Sequence, residues 1–456
     1  MDATICALST ATGGALGIIR VSGKDAVCIT EMIFHSANGK KLTDAKPNTL
    51  HYGEIYDNTE MQTDKAIDDV VVSIFRAPHS YSGEDSVEIS CHGSQYILNK
   101  VLQLLIQNGC RQAEPGEFTK RAFLNGKMDL SQAEAVADLI ASTSKAAHDV
   151  ALSQLKGNIS NELATLREHL LRIASLVELE LDFSEEDVNF AERQELLALA
   201  KRIHEKISSL LHSFQTGKTL KEGIPVAIVG KTNVGKSTII NRLLHDDKAI
   251  VSDIHGTTRD AIEDTTIING VTFRFIDTAG LRETTDTIEN IGIQLTHKKI
   301  LQASIILWVV DTPPTAEEIE EMQNECVGKQ LILLFNKSDI NPATSSVQAK
   351  LSAQLHISAK YDNDISVLEQ TIYQAANLPD ISENDVIVTN TRHYEALLRA
   401  ETSIVQVIKG LNENISGDLL AEDIRHCTHI LAEITGGEIQ STDILNSIFS
   451  HFCIGK

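Results

Sequence analysis

The sequence predicts a multidomain α/β plus α protein: a small N-terminal α+β domain, then a helical domain interrupted by an inserted α/β domain with a parallel sheet and helices on both faces. Three observations predict it. The chain has 456 residues, about three domains at roughly 150 residues each. Its eight prolines stand at 47, 78, 115, 225, 313, 314, 342 and 379, so residues 116–224 hold none, as long helices require. From about residue 224 the pattern changes to short β-rich runs separated by helix-length stretches, the signature of a parallel α/β sheet.

In order along the chain, residues 1–118 mix turn glycines with the apolar runs LGIIRVSG, DDVVVSIF and SVEIS, which predict the strands of the α+β domain. Residues 119–220 form the first helical part. There Leu152, Leu155, Ile159, Leu163, Leu166, Leu170, Ile173 and Val177 recur at steps of three and four, one apolar stripe on a single long helix, read as core rather than function. Residues 221–378 carry the strand runs IPVAIVG, VTFRFID, SIILWVVD and QLILLFN. Helical patterns return in 379–456, in HYEALLRAETSIVQVIKGL and GDLLAEDIRHCTHILAEITG, before the tail SIFSHFCIGK. Helices on both sides of an α/β unit are most simply one domain bearing an insertion, which is tolerated where a domain's ends lie close together.

Composition excludes several classes. Hydrophobic content of 42% with 23% charged residues fits a soluble globular chain, and no apolar run approaches the roughly 18 residues that span a bilayer, so no membrane insertion is expected. The start MDATICALSTATGG lacks the basic head and apolar core of a secretory signal, which predicts a cytoplasmic protein. Cys6, Cys28, Cys91, Cys110, Cys326, Cys427 and Cys453 are odd in number and never spaced CxxC, against disulfides and a zinc knuckle. All but one are expected to be buried or inert. The net charge of −23 repels a polyanion over most of the surface, so nucleic-acid contact needs a local basic patch or a partner.

The inserted domain carries the chemistry. GKTNVGKS at 230–237 follows the apolar strand VAIV and precedes the helical run TIINRLL, the strand–loop–helix setting of a phosphate-binding loop. Gly230 and Gly235 let backbone amides wrap phosphates, Lys236 neutralises phosphate charge and Ser237 offers a hydroxyl to Mg²⁺. Asn233, Val234 and Thr238 complete the contact set. The run VTFRFI ends in Asp277-Thr278-Ala279-Gly280, where a carboxylate can hold the magnesium shell and an amide can sense the γ-phosphate. LILLF ends in Asn336-Lys337-Ser338-Asp339, whose Asp339 suits the paired N–H donors of guanine and would be left unpaired by adenine. Ser358-Ala359-Lys360 completes the base pocket. Four such elements in this order predict a Ras-like P-loop GTPase domain that binds GTP and Mg²⁺.

Catalysis is less settled by residue type. Leu281 stands just after the DTAG run, where many GTPases place a glutamine that orients water, and it can neither donate nor accept. Glu283, Asp286 and Glu289 are the downstream candidates. Arg259 and Arg282 lie near the switch segments. A monovalent cation is the alternative: Asn233 carries a side-chain oxygen, and the loop IVSDIHGTTRD, which includes Asp253, His255 and Gly256, supplies further oxygens from Ser252, Ile254 and Thr257, with Thr258 facing Mg²⁺.

These motifs, with GIIRVSG at 17–23, YSGEDSVEISCHG at 81–93, PGEFTKRAFLNGKMDLSQAEAVADLI at 115–140 and the terminal FCIGK, closely resemble the MnmE (TrmE) family of tRNA-modification GTPases over essentially the full length. The resemblance implies a folate-binding N-terminal domain that dimerises, a helical domain in two segments and an inserted GTPase domain. It implies K⁺ at Asn233, Ser252, Ile254 and Thr257, water activation by Glu289, and K⁺-dependent pairing of the GTPase domains of a homodimer. Its folate contacts, for 5-formyl- or methylene-tetrahydrofolate, match Arg20, Glu88, Lys127 and Lys456. Read without the resemblance, Arg20 is a strand-end charge, Glu88 a strand charge and Lys127 a turn residue. Cys453 reads as a reactive thiol near Lys456 or as a small buried residue beside Phe452, and the resemblance makes it functional. TATGGALG departs from the family in lacking a proline pair and extra glycines.

By resemblance, the chain works in a heterotetramer with an FAD-containing MnmG-type partner, which carries much of the tRNA binding, to build a carboxymethylaminomethyl-type group on C5 of wobble uridine. The rival expectation is a GTP-dependent switch in ribosome assembly without one-carbon chemistry.

Overall fold

A computed structural model of the chain describes residues 3–57, 66–182, 193–245, 264–276, 297, 299–340, 351–379, 385–413, 415–437, 442–450 and 452–455. It forms two compact units, one of Met1–Ile140, Gln154–His204 and Ala396–Lys456, the other of Ala141–Ser153 and Glu205–Glu395.

The first unit opens with β1 (Ile5–Leu8), β2 (Leu16–Ser22), β3 (Phe34–Ser36), β4 (Thr49–Ile55), β5 (Asp68–Phe75), β6 (Ser86–His92) and β7 (Arg111–Gln112) in one sheet, ordered β3-β4-β5-β6-β2-β1-β7. Every pair is antiparallel except β1 with β7. Strict alternation sends Val70, Val72 and Ile74 of β5, and Val87, Ile89 and Cys91 of β6, into a core shared with α1 (Ala26–Ile33) and α2 (Gln95–Gln107). The opposite face carries Ile5 and Ala7, which pack on Phe118 of α3 (Glu117–Leu124). That same face bears Arg20 and Glu88.

The proline-free stretch is helical, as expected, in α3, α4 (Leu130–Ala141), α5 (Lys145–Leu155), α6 (Asn158–Asp182) and α7 (Arg193–Glu222). The single long helix expected from the apolar stripe is two. Gly157 takes φ +85 and breaks the chain between α5 and α6, a conformation that side chains with a Cβ resist. Ile159, Leu163, Leu166, Leu170, Ile173 and Val177 are buried on α6, whereas Leu152 and Leu155 on α5 are half-buried.

The second unit holds the sheet β13-β12-β11-β8-β10-β9, from β8 (Ile224–Val229), β9 (Asp264–Ile268), β10 (Val271–Phe275), β11 (Ile305–Val310), β12 (Gln330–Phe335) and β13 (Ala353–His356). It is parallel except at one edge, where β9 runs antiparallel to β10 through an Asn269-Gly270 turn with φ +50 and +78, the signature of a tight hairpin. One face packs on α8 (Lys236–His245) and α10 (Asp362–Ala375) through Ile239, Leu243, Leu368 and Ile372. The other packs on α9 (Ala316–Glu325) through Ile319 and Met322. Central strands buried on both faces read as the continuous apolar runs seen in the sequence.

Beyond residue 385 come α11 (Thr391–Asn412), α12 (Gly417–Thr435) and α13 (Thr442–Phe449). In the first unit α12 lies along α6, with Arg425 paired to Glu178 at 2.6 Å. No helix among the described residues is long and apolar enough to cross a membrane. All seven thiols are free; five are buried, and Cys28 and Cys453 are exposed. Burial pushes the thiols of Cys91 and Cys326 up to about 11 and that of Cys427 to about 12.

Candidate functional site

The phosphate loop leaves the carboxyl end of β8, whose neighbours β11 and β10 lie on opposite sides; such a switch point is where open α/β sheets bind ligands. Gly230, Asn233 and Gly235 have φ of +145, +63 and +99. A Cβ on Gly230 would run into the Val309 carbonyl of β11, and one on Gly235 into the Asn336 amide, so both positions need glycine for space as well as for φ. Val234 anchors the loop in the core. The Lys236 ammonium donates to the carbonyls of Gly230 at 2.7 Å and Lys231 at 2.6 Å, which spans the loop. Burial, helped by Lys299, lowers its proton affinity. Ser237 and Thr238 sit in the first turn of α8, whose amides have no intrahelical acceptor and form an anion site.

Asn336, buried at the end of β12, joins both halves of the site. Its amide nitrogen donates to the Val234 carbonyl at 2.8 Å, and its amide oxygen accepts from the Ala359 N–H at 3.2 Å. Lys337, at φ +62, donates to the Asn233 carbonyl at 2.8 Å and pairs with Asp311 at 3.2 Å. Asp339 pairs with Lys360 at 3.2 Å, and the Ser358 side chain first and Lys360 second hold its carboxyl below the usual range. Asp339 therefore carries an ionised carboxylate in the loop that follows β12.

The structure thus brings together Asn233, Val234, Gly235, Lys236, Ser237, Thr238, Asn336, Lys337, Asp339, Ser358, Ala359 and Lys360. Ser252, Asp253, Ile254, His255, Gly256, Thr257, Thr258, Asp277, Thr278, Ala279, Gly280, Glu289 and Lys456 lie outside the described residues. Sequence reasoning missed Asp311, and Asp364, which accepts from the Ser358 N–H at 2.6 Å. The acidic run DND at 362–364, one residue beyond SAK and at a helix start, was the available signal.

In the N-terminal sheet, Arg20 and Glu88 are direct cross-strand partners. Arg20 Nε and Nη2 reach Glu88 Oε1 at 3.0 and 2.9 Å. Arg20 is neither at a strand end nor fully exposed: its guanidinium lies 5.0 Å from the Tyr81 ring centroid and 5.6 Å from that of Phe118, within cation–π range. The Tyr81 hydroxyl is 2.8 Å from Thr119 Oγ1, and burial raises its phenol against the opposing pull of Thr119 and Arg20. Lys127 is a turn residue, and its ammonium donates to the Pro78 carbonyl at 2.9 Å. The 78–84 loop is thus the wall that Arg20 and Lys127 share.

The C-terminal tail comes to the same domain. The Gly116 N–H donates to the Cys453 carbonyl at 3.3 Å, and the Ser9 hydroxyl to the Gly455 carbonyl at 3.2 Å. This docks the tail at the end of β1, whose Ala7 stands opposite Arg20. Cys453 is exposed, which overturns its reading as a small buried residue. Beneath the wall lies a network that the sequence did not announce. Buried Arg121 binds Glu84 and Glu117 at 2.9 Å each and donates to the Ala3 carbonyl at 2.9 Å, and Arg111 holds the other side of Glu117.

Comparisons with known proteins agree over the full length. A family model described as MnmE helical domain matches residues 130–453, and one described as GTP-binding protein TrmE N-terminus matches residues 4–127. A protein of Bacteroides fragilis named tRNA modification GTPase MnmE is 56% identical over 467 residues, covering 99% of each chain. The protein of that name from Bacteroides thetaiotaomicron is 54% identical, with 99% of each chain covered. That of Flavobacterium johnsoniae is 48% identical over 470 residues, again covering 99% of both.

Proposed function

The chain belongs to the MnmE (TrmE) family, and from that premise we propose that it is a GTPase that acts in tRNA modification, with a phosphate clamp, a base reader and a folate pocket on one chain. The observation that carries the reading is Asn336, which binds the phosphate loop with one end of its amide and the base loop with the other. Lys236 meets the β- and γ-phosphates, and Asp339 accepts from the Watson–Crick edge of guanine. Ser237 and Thr258 would hold Mg²⁺ with Asp277 in its shell; the α8 start bearing Ser237 fits that part. When bound, the metal ions supply positive charge against the transferring phosphoryl group, a role worth about 10³–10⁵ in rate where an arginine does it.

Asn233, Ser252, Ile254 and Thr257 would hold K⁺. The left-handed turn at Asn233, fixed by Lys337 through its carbonyl, suits a loop ligand with a side-chain oxygen. Glu289 then orients and deprotonates water in place of the glutamine that Leu281 replaces. Turnover should be much faster in K⁺ than in Na⁺, and Glu289→Ala should cut it about 10²-fold or more while nucleotide affinity stays within a few-fold. Equal rates in the two salts would remove the potassium mechanism.

The Arg20–Glu88 pair beside the Tyr81 and Phe118 rings fits a flat heteroaromatic group with donor and acceptor edges. Glu88 accepts pterin N–H groups, and Arg20, Lys127 and Lys456 meet carboxylates. A 5-formyl- or methylene-tetrahydrofolate would supply the one-carbon unit there, with Cys453 held nearby by the docked tail. The chain acts as a homodimer in the cytoplasm, and a heterotetramer with an FAD-containing MnmG-type partner completes the carboxymethylaminomethyl-type group on wobble uridine. With −23 on this chain, the partner binds most of the tRNA. Titrating the purified chain with 5-formyltetrahydrofolate should give saturable binding, weakened at least tenfold in Arg20→Ala. A chain that hydrolyses GTP without binding folate would instead be the ribosome-assembly switch.

A further inference from the structure

Arg20 presents a fixed edge to a flat ligand only if its guanidinium plane is fixed, and the ion pair with Glu88 does not fix it alone. Both Arg20 bonds, from Nε and Nη2, end on one oxygen, Glu88 Oε1, a point about which the group can pivot. Of five guanidinium donors the pairing uses two. The pair is also partly open, with 16% of the Arg20 side chain and 26% of the Glu88 side chain exposed. What sets the plane is the pair of rings against it, Tyr81 at 5.0 Å and Phe118 at 5.6 Å from the guanidinium carbon to the ring centroids.

The two rings are held differently. Phe118 is fully buried on α3, whereas Tyr81 stands half-buried in the 78–84 loop. That loop is tied through its backbone at Pro78, whose carbonyl accepts from Lys127 at 2.9 Å, and at Ser82, whose carbonyl accepts from Asn125 Nδ2 at 2.8 Å. These ties fix where the Tyr81 side chain starts. They do not fix its ring, because the last torsion of an aromatic side chain is broad. The far end of the ring meets Thr119: the two hydroxyl oxygens lie 2.8 Å apart, and Thr119 is fully buried.

Thr119 stands on an anchored turn. Glu117, the first residue of α3, accepts from the Glu114 N–H at 2.9 Å, from Arg111 at 3.0 Å and from Arg121 at 2.9 Å. Gly116, at φ +65, lies so close to the C-terminal tail that a Cβ there would meet the Phe449 carbonyl at 2.8 Å. Adjacent residues of this turn therefore set both rings against Arg20, Phe118 directly and Thr119 through Tyr81.

We propose that Thr119 is a positioning residue for folate recognition: its hydroxyl holds the Tyr81 ring against Arg20 and so fixes the Arg20–Glu88 edge that the folate meets. The inference rests on the reading of this pocket as a folate site. Thr119 acts through Tyr81 and not by contact with the ligand.

The test titrates the full-length chain with 5-formyltetrahydrofolate by calorimetry. Wild type should bind saturably. Thr119→Val, which keeps the shape and removes the hydroxyl, should raise Kd about fivefold or more, because it strands the Tyr81 hydroxyl and the ring leaves its place to find another partner. Tyr81→Phe keeps the ring and should raise Kd only about two- to threefold, since the Thr119 hydroxyl left behind can turn to a carbonyl of its own helix. The double variant should match Tyr81→Phe rather than add the two losses. Thr119→Ser, which keeps the hydroxyl, should stay within about twofold of wild type. Circular dichroism identifies the folded variants. A folded Thr119→Val chain with wild-type Kd would overturn the inference, even if it melts lower, as would equal losses in Thr119→Val and Thr119→Ser or additive losses in the double variant. Should Thr119→Val not fold, Tyr81→Phe still decides: a wild-type Kd there overturns the path. A wild-type chain that does not bind folate would sink the folate reading itself, and the inference with it.

Discussion

Asp339→Asn should lower GTP affinity by about 10²–10³-fold and make xanthosine triphosphate the better ligand. Ser358 and Lys360 keep the Asp339 carboxyl ionised, so it offers two acceptors to the N1–H and 2-amino donors of guanine. Asn replaces one acceptor with a donor, which faces the 2-amino group. A hydrogen bond to a charged group contributes about 1.5–3 kcal/mol, and an unmatched donor costs about 1–3 more. Their sum, roughly 2.5–6 kcal/mol, brackets the roughly 2.7–4.1 kcal/mol to which the stated factor corresponds. Xanthine carries a carbonyl where guanine has its amino group and so matches the new donor. Competition titrations with a fluorescent guanine nucleotide measure both changes; unchanged affinities for both nucleotides would mean that the base is read elsewhere. Because the carboxyl titrates below its ordinary value of 3.8, GTP affinity should also hold as pH falls from 7 to about 5.

Arg121→Leu should destabilise the N-terminal domain by about 3–5 kcal/mol, the usual cost of removing one partner from a buried ion-pair network. The guanidinium is 2% exposed and holds both Glu84 and Glu117. Its loss leaves two carboxylates without their shared counter-charge. Burial alone would raise the Glu117 carboxyl, but hydrogen bonds from Arg111, the Glu114 N–H and Arg121 outweigh it and the net direction is down. A depressed carboxyl contributes stability that is fully present above its unfolded value, about 4.3, and is lost as pH falls through the folded one. Thermal melts should therefore show the first transition of the variant lower by roughly 10 °C at pH 7, with the gap narrowing below about pH 4. A variant melting with wild type at pH 7 would show the network to be dispensable.

The nucleotide site was legible because its parts are contiguous strings at strand ends: Gly230 to Ser237, Asn336 to Asp339 and Ser358 to Lys360 each name their own role. What joins them was not. The Asn336 amide reaches Val234 and Ala359, and Asp364 reaches Ser358, across loops whose approach only the folded sheet decides. The stripe from Leu152 to Val177 keeps its spacing through Gly157, so periodicity could not show that the backbone turns left-handed there and splits the helix. β9 escaped notice because its run, DTTII, exposes every second residue at a sheet edge and lacks the apolar continuity of the central strands. Arg20 and Glu88 face each other only through the β2–β6 register, and neither residue type announces a ligand. Tyr81 and Phe118, which wall that pair, look like ordinary core aromatics in the sequence.

We propose that a guanine-reading clamp on this chain drives work on tRNA. Mass spectrometry of nucleosides from total tRNA tests it most directly, comparing cells that lack the gene with the same cells given back the wild-type chain or Lys236→Ala. A C5-substituted wobble uridine should disappear with the gene, return with the wild-type chain and not return with Lys236→Ala. An unchanged nucleoside profile in the deletion, or full restoration by Lys236→Ala, would contradict it.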